Sequence, residues 1–310
     1  MIKRIKTESK EEWLELRKHY IGGSDAGAVV GMNPYKSKYT LWAEKTGKIP
    51  GFEGNLTTDI GSYLEDFVAD LFCKETGKKV RRENQSLVNA KYPFAIADID
   101  RNVVGEKAGL EIKTTNSLPI MRCIRNSDEF PELYYAQCVH YLAVTGADRW
   151  YLGVLINCRD FKWYVLERDE DEINALMSAE AAFWKNNVEA DKAPTPDGEE
   201  NTSETISQMY PTSSAEEVDL FAYENEVKEY VALAGQIRAL TAIKDEKANV
   251  IKEYMKTAQR GNLLGFVVSY ASSQRRTFDS KKFAADHPYM NLDDYYTTTN
   301  VRTFKITERK

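Results

Sequence analysis

The chain has 310 residues, of which 42% are hydrophobic and 29% charged, with a formal net charge of −6. That length suits one large domain with an appendage or two modest ones, and the composition is ordinary for a soluble globular protein. The acidic balance excludes a protein that coats nucleic acid through bulk charge, but it leaves a nuclease open, because a metal site itself adds acidic residues.

In chain order, no apolar core follows Met1-Ile2-Lys3-Arg4-Ile5-Lys6, and no later run reaches membrane-span length, so a cytoplasmic location is expected. Residues 9–19 open with Ser9 as a cap and predict a short helix. Gly22-Gly23 predicts a turn, with Ser24 capping a small helix over 26–30. Residues 38–46 predict another helix, stopped by Gly47 and Pro50. The clearest amphipathic helix is 58–76, where Ile60, Leu64, Phe67, Val68, Leu71 and Phe72 form one stripe and Gly77 ends the run. Glu65 sits beside that stripe, as a boundary charge or a functional carboxylate.

Two β-like stretches follow, 94–104 and 109–115, joined by a polar turn containing Gly105, and they read as a hairpin. Side chains alternate along a strand, so Glu111 and Lys113 share one face while Leu110 and Ile112 share the other. With Asp100 near the end of the first strand, two carboxylates and an ammonium converge. Hard divalent cations need such oxygen ligands, and a lysine beside the metal can position or deprotonate water. The competing reading is a surface hairpin with charges on its wet face.

Residues 130–145 predict a helix with Pro131 near its first turn, placing Gln137 and Tyr141 one turn apart on a shared face. Strands at 150–156 and 161–166 and a helix at 169–187 come next. Trp150, Tyr151, Trp163 and Tyr164 read as sheet packing rather than base-stacking platforms. A Pro-, Gly- and acid-rich stretch over 188–204 reads as linker. Residues 214–258 then show long helical periodicity, which Gly235 is expected to break into a helical hairpin, and strand-like pieces lie at 263–270 and 298–306.

Cys73, Cys123, Cys138 and Cys158 are scattered, with no close pair and no histidine at ligand spacing, so neither a disulfide framework nor a zinc or iron–sulfur site is supported. Three of them fall in apolar contexts and read as small core residues. Basic clusters at Lys3-Arg4-Lys6, Lys78-Lys79 with Arg81-Arg82, Arg122 with Arg125, and Arg275-Arg276 with Lys281-Lys282 read as solvated faces or as phosphate contacts.

Four blocks in order resemble the lambda-type phage exonuclease family, also called the YqaJ viral recombinase family. They are Trp13-Leu14-Glu15-Leu16-Arg17 with Ile21-Gly22-Gly23-Ser24-Asp25-Ala26; Gly61-Ser62-Tyr63-Leu64-Glu65; Ala97-Asp98-Ile99-Asp100-Arg101 with Leu110-Glu111-Ile112-Lys113; and Tyr135-Ala136-Gln137 through Tyr141 to Gly146. The resemblance covers roughly residues 10–185. It implies an α/β, restriction-endonuclease-like PD-(D/E)XK core, a mixed central sheet flanked by helices. It also implies a Mg²⁺-dependent 5′-to-3′ exonuclease on linear double-stranded DNA, with Mn²⁺ as a substitute, serving homologous recombination by strand annealing. A ring-shaped trimer and a single-strand annealing partner belong to the same picture. The resulting domain reading is a nuclease domain over 1–190, a linker over 191–213, and a helical arm with a small β region over 214–310.

Carried over residue by residue, the resemblance makes Asp100 and Glu111 metal-binding carboxylates, completed by the Ile112 carbonyl, and Lys113 the catalytic lysine. Glu65 matches a helix glutamate that orients water or a second metal. Arg17 and Ser24 match a phosphate-holding pair, and Gln137 and Tyr141 the supporting motif. Asp98 stands where the exonuclease branch carries a small hydroxyl residue, so it would repel a 5′ phosphate or add a ligand. Burial of Lys113 would lower its pKa toward a general-base role. Two other readings stay open: a structure-specific or single-strand repair-type endonuclease of the same fold, and a non-catalytic DNA-binding scaffold.

Overall fold

The computed structural model describes residues 1–118, 120, 121, 124 and 128–308, so Arg122, Cys123 and Arg125 lie outside the described residues. Strand β1 (Ile2–Ile5) leads to helix α1 (Lys10–Lys18), where Ser9 accepts from Glu12 N and caps the first turn. Strand β2 (Ile21–Gly22) runs directly into α2 (Gly23–Val29), and α3 (Lys38–Lys45) starts at the Ser37 cap. Helix α4 (Leu56–Thr76) begins at the Asn55 cap and stops at Gly77, whose φ of 69° is the left-handed geometry that ends helices.

Short strands β3 (Val80–Arg82), β4 (Ser86–Asn89), β5 (Ala95–Ile96) and β6 (Arg101–Val103) precede the longer β7 (Ala108–Thr115). Helix α5 (Glu132–Thr145) crosses to β8 (Arg149–Ile156), which turns back as β9 (Asp160–Glu167). Helix α6 (Glu170–Phe183) continues into a π-helical turn, Trp184–Glu189, and α7 (Glu200–Met209) follows.

The main sheet has five strands in the order β3-β6-β7-β8-β9, in which only β7 and β8 run parallel. A parallel pair needs a crossover, and α5 supplies it. Alternation then sorts the two faces. Leu110, Ile112, Tyr151 and Leu155 pack with Val68, Ala69 and Phe72 of α4. On the other face Leu152, Val154 and Ile156 pack with Tyr134 of α5, while Trp150 joins Cys138, Tyr141 and Leu142. Glu111 and Lys113 therefore point toward α5, away from the α4 layer.

Several expectations need correction. The strand expected over 94–104 is two short strands, interrupted at Asp98–Asp100, where Ser86 and Tyr141 draw the chain out of the ladder. On α4 the inward line is Gly61, Leu64, Glu65, Val68 and Phe72, whereas Ile60 and Phe67 are 46% and 53% exposed. The stripe is displaced because Gly61 lies against Thr114 and Glu65 turns toward Arg101. The stretch read as linker contains α7, which docks on α3 through Asn201 Oδ1 to Ser37 N at 2.8 Å and Thr205 to Thr40 at 2.8 Å. Among the cysteines Cys138 is buried, but Cys158 is exposed in a turn with φ 52°.

The chain divides into two units, Met1–Tyr210 and Pro211–Lys310. In the second, helix α8 (Glu224–Met255) runs uninterrupted through Gly235, so the expected break does not occur. One glycine costs about 1 kcal/mol in a helix interior, too little to stop a helix carried by Ala232, Leu233, Ala234, Gln236, Arg238, Ala239 and Leu240 around it. Strands β10 (Arg260–Leu263) and β11 (Phe266–Ser269) make a hairpin, and α9 (Ser280–Asp286) is short. No strand forms over 298–306 among the described residues, since Val301 and Phe304 stay exposed and no edge offers them a ladder.

Candidate active site

Asp100 ends the bend before β6, and its Oδ2 accepts from the Ile112 N–H at 2.7 Å, which ties it to the middle of β7. One residue either side of Ile112, Glu111 and Lys113 meet on the α5 face, with Lys113 Nζ 2.6 Å from Glu111 Oε1. Glu111 is 2% exposed. Gln137 Nε2 donates to the same Oε1 at 2.6 Å and to the Tyr141 hydroxyl at 2.9 Å. Tyr141 in turn donates to the Asp98 carbonyl at 2.9 Å. Glu111 Oε2 is buried with no hydrogen-bond partner among the described residues. One oxygen of this carboxylate is saturated and the other is open.

Burial raises the Asp100 carboxyl well above the ordinary carboxylate range, and the neighbouring Glu111 charge raises it further. For Lys113 burial works downward, but the charges of Glu111 and Asp100 outweigh it and raise the ammonium above the ordinary lysine value. The expected lowering of Lys113 therefore has the wrong sign. Lys113 is held as a cation, suited to donating hydrogen bonds rather than taking a proton.

Glu65 adds to the repulsion felt by Asp100, yet its Oε1 is engaged by Arg101 Nη1. Arg101 is itself buried, pairing with Asp66 Oδ1 at 2.7 Å and donating to the Asp100 carbonyl at 2.6 Å. Sequence reasoning missed Arg101; an arginine following the acid of a bend, opposite a helix carrying Glu65-Asp66, was the available signal. Trp13, Glu65, Ser86, Asp98, Asp100 and Arg101 line one open cleft of about 260 Å³. Within it, Ser86 Oγ donates to Asp98 Oδ1 at 2.5 Å.

Arg17 and Ser24 are brought together, with Arg17 Nη2 2.7 Å from Ser24 Oγ. Ser24 is not the cap it was expected to be. Gly22 occupies that position, and its N–H donates to Asp25 Oδ2 at 3.1 Å. Asp25 is buried against Lys45 at 2.8 Å, with Arg17 and Lys36 each at 3.9 Å. Burial opposes its ionisation, but those three cations prevail and hold the carboxyl far below its usual range. Behind Tyr141, the sequence also concealed a fully buried pair: His140 Nδ1 faces Glu180 Oε1 at 2.9 Å and His140 Nε2 faces the Ile96 carbonyl at 2.9 Å. Both ring nitrogens are engaged, the Glu180 charge raises the imidazole pKa against the opposing effect of burial, and the ring pins the strand that leads to Asp98 and Asp100.

No group of three or more His, Cys, Asp and Glu side chains stands at metal-ligand spacing among the described residues. The donors that fit a hard cation are the Asp100 and Glu111 carboxylates, all oxygen, one of them with an unpartnered atom. Two crowded carboxylates balanced by a single lysine leave negative charge for such an ion to neutralise.

Residues 12–148 match the YqaJ-like viral recombinase domain. The uncharacterized protein YqaJ of Bacillus subtilis (strain 168) is 35% identical over 305 residues, covering 97% of this chain and 95% of that protein. Among solved structures, the alkaline exonuclease LHK-Exo of Laribacter hongkongensis aligns with a TM-score of 0.50 at 22% identity, over 59% of this chain and 94% of that one. Its complex with dAMP aligns at 0.51 with the same identity and coverage. This likeness shows the fold, the restriction-endonuclease-like mixed sheet flanked by helices. With a relative matched end to end and the domain spanning α1 through α5, the chain belongs to the YqaJ-like viral recombinase family.

Proposed function

We propose that the protein is a metal-dependent deoxyribonuclease, a phage-type exonuclease that degrades linear double-stranded DNA from a 5′ end during strand-annealing recombination. The observation that carries this reading is the juxtaposition of Asp100, Glu111 and Lys113, with one Glu111 oxygen left open in a buried site. Asp100, Glu111 and the Ile112 carbonyl would hold Mg²⁺, with Mn²⁺ as a substitute. When bound, such an ion supplies charge neutralisation at the phosphate and a more acidic water.

The chain's own groups do the rest. Lys113 donates hydrogen bonds to the attacking water or to a non-bridging phosphate oxygen that gains charge in the transition state. Gln137 and Tyr141 fix Glu111 and the Asp98 backbone, keeping both acid-bearing segments at one spacing. Glu65 is committed to Arg101; its part is to hold that arginine and to deepen the negative potential of the cleft. Arg17 and Ser24 grip a DNA phosphate as a bidentate-capable cation with a hydroxyl beside it. Asp98 lines the cleft with Asp100, and its carboxylate disfavours a 5′ phosphate there.

The wider reading is a homo-oligomer, in the form of a ring trimer, working with a single-strand annealing protein in the host-cell cytoplasm. No helix among the described residues is long and apolar enough to cross a membrane. The test is digestion of end-labelled linear duplex, nicked circle and single strand in Mg²⁺, with and without 5′ phosphate, by wild type and Glu111→Gln. The reading requires loss of cleavage in the variant with duplex binding in Ca²⁺ retained. Cleavage of single strand or nicked circle in preference to duplex ends would favour the repair-type endonuclease instead.

A further inference from the structure

Arg101 opens β6, an inner strand of the main sheet, where it pairs with Arg82 of β3 on one side and Leu110 of β7 on the other. Its side chain is only 4% exposed, yet it lines the cleft that holds Glu65 and Asp100. A guanidinium keeps its charge at any working pH, so burying one requires acceptors around it. Three groups supply them. Nη1 donates to Glu65 Oε1 and to the Asp100 carbonyl, the latter at 2.6 Å. Nη2 donates to Asp66 Oδ1 at 2.7 Å. Arg82 shares Asp66, with its Nη2 2.6 Å from the same oxygen.

Three oxygens, two of them from carboxylates, thus converge on one cation beside the acidic centre. Such a cluster of oxygens is what a hard divalent ion requires. A two-ion site needs carboxylates for both ions, which sit about 3.5–4 Å apart. Asp100 and Glu111 serve a first ion. Glu65 is the carboxylate available to a second, but it is turned to Arg101. Among the described residues it does not join Asp100 and Glu111 in a group at metal-ligand spacing. Nor can Arg101 readily give way. Strand pairing on both sides fixes its backbone, and withdrawing the side chain would leave a charge in the sheet without acceptors.

We propose that the Arg101 guanidinium stands in the place of a second metal ion, so that the site takes one divalent cation, held by Asp100 and Glu111. Arg101 is then a positioning residue, which fixes the Asp100 main chain and neutralises Glu65. The inference rests on the metal-dependent reading above.

Counting Mn²⁺ bound per full chain, from the electron paramagnetic resonance signal of the free ion, tests it. The ions of the cleft are those lost in the Asp100→Asn, Glu111→Gln double variant, and wild type is expected to hold one. Two would overturn the inference and leave the metal-dependent reading standing. None would overturn that reading, and the inference with it. Arg101→Met keeps a long side chain without the charge. It is expected to bind one ion more than wild type, a gain that adding Glu65→Gln removes. A residue with a structural part alone would not behave this way, since lost packing removes sites rather than creating them. An unchanged count in folded Arg101→Met would overturn the proposal. If that variant does not fold, Glu65→Gln alone decides, and the single ion should bind it nearly as tightly as wild type. A loss of about tenfold or more, the scale on which metal-site contacts act, would make Glu65 a ligand and overturn the proposal.

Discussion

The Gln137 amide donates to Glu111 Oε1 at 2.6 Å. Lys113 already engages that oxygen, so the helix and the strand together load one side of the carboxylate and leave Oε2 open. Outer hydrogen bonds of this kind set ligand orientation and basicity, and their removal typically costs 10–100-fold in metal affinity or activity. Gln137→Leu, similar in volume but with no donor, is therefore expected to weaken Mg²⁺-dependent cleavage by roughly 10–100-fold. The loss should fall mainly on the metal concentration needed for half-maximal rate, which a Mg²⁺ titration reads directly. An unchanged titration would remove Gln137 from the site.

The His140–Glu180 pair gives a pH signature. Burial pulls the imidazole pKa down, but the Glu180 charge outweighs it, so the folded value lies above the ordinary 6.5. A raised folded pKa means that the stabilisation is complete below the unfolded value and is lost as pH rises through the folded value. The wild-type melting temperature minus that of His140→Gln should thus be largest in mildly acidic buffer and shrink as pH climbs. Glu180→Gln leaves a buried charge without its partner, a change that costs about 3–5 kcal/mol in comparable pairs. A difference that grows with pH would mean the imidazole is neutral in the fold.

What the sequence made legible follows from locality. Period-two alternation placed Glu111 and Lys113 on one face, and helical spacing placed Gln137 beside Tyr141, because each relation spans four residues or fewer. Caps at Ser9 and the stop at Gly77 were legible for the same reason. Relations across the fold were not. Arg101 reaches Glu65 from another element, and its charge redirects a carboxylate that periodicity alone left ambiguous. The sign of the Lys113 shift depended on how closely two acids approach, a distance no spacing rule contains. Gly235 misled because glycine marks a break only where its neighbours favour one, and here they are strong helix formers.

Arg17 stacks on Trp13 at 4.9 Å and binds Ser24, so it is held at the edge of α1 with its charge only partly offset by Asp25. Arg17→Ala is expected to raise KM for duplex ends while changing kcat much less. It should also reduce the slope of log KM against log salt by about one unit, the loss of one phosphate contact. Arg17→Lys keeps the charge but not the fork, and should recover the salt slope more fully than the affinity. A fall in kcat alone would place Arg17 at the reacting phosphate instead.

Gly23 is where the start of α2, which carries Ser24, touches the acidic centre. A Cβ built on it would stand 2.5 Å from Tyr141 Cε1 and 2.9 Å from its hydroxyl oxygen. Tyr141 has little freedom to retreat, since its hydroxyl is bonded to Gln137 and the Asp98 carbonyl and its ring packs on Trp150 at 5.1 Å. Gly23→Ala must therefore displace either the tyrosine or the turn that carries Ser24. Overpacking of this sort costs about 1–3 kcal/mol, so the protein should fold with a reduced melting temperature and a disproportionate loss of kcat. Tyr141→Ala makes room for the methyl group, so in that background adding Gly23→Ala should lower the melting temperature far less than it does in the wild type, with cleavage lost in both. Recovery of melting temperature and cleavage together in the double variant would show that the glycine serves packing alone, and that the tyrosine contributes nothing to how the two acid-bearing segments are spaced.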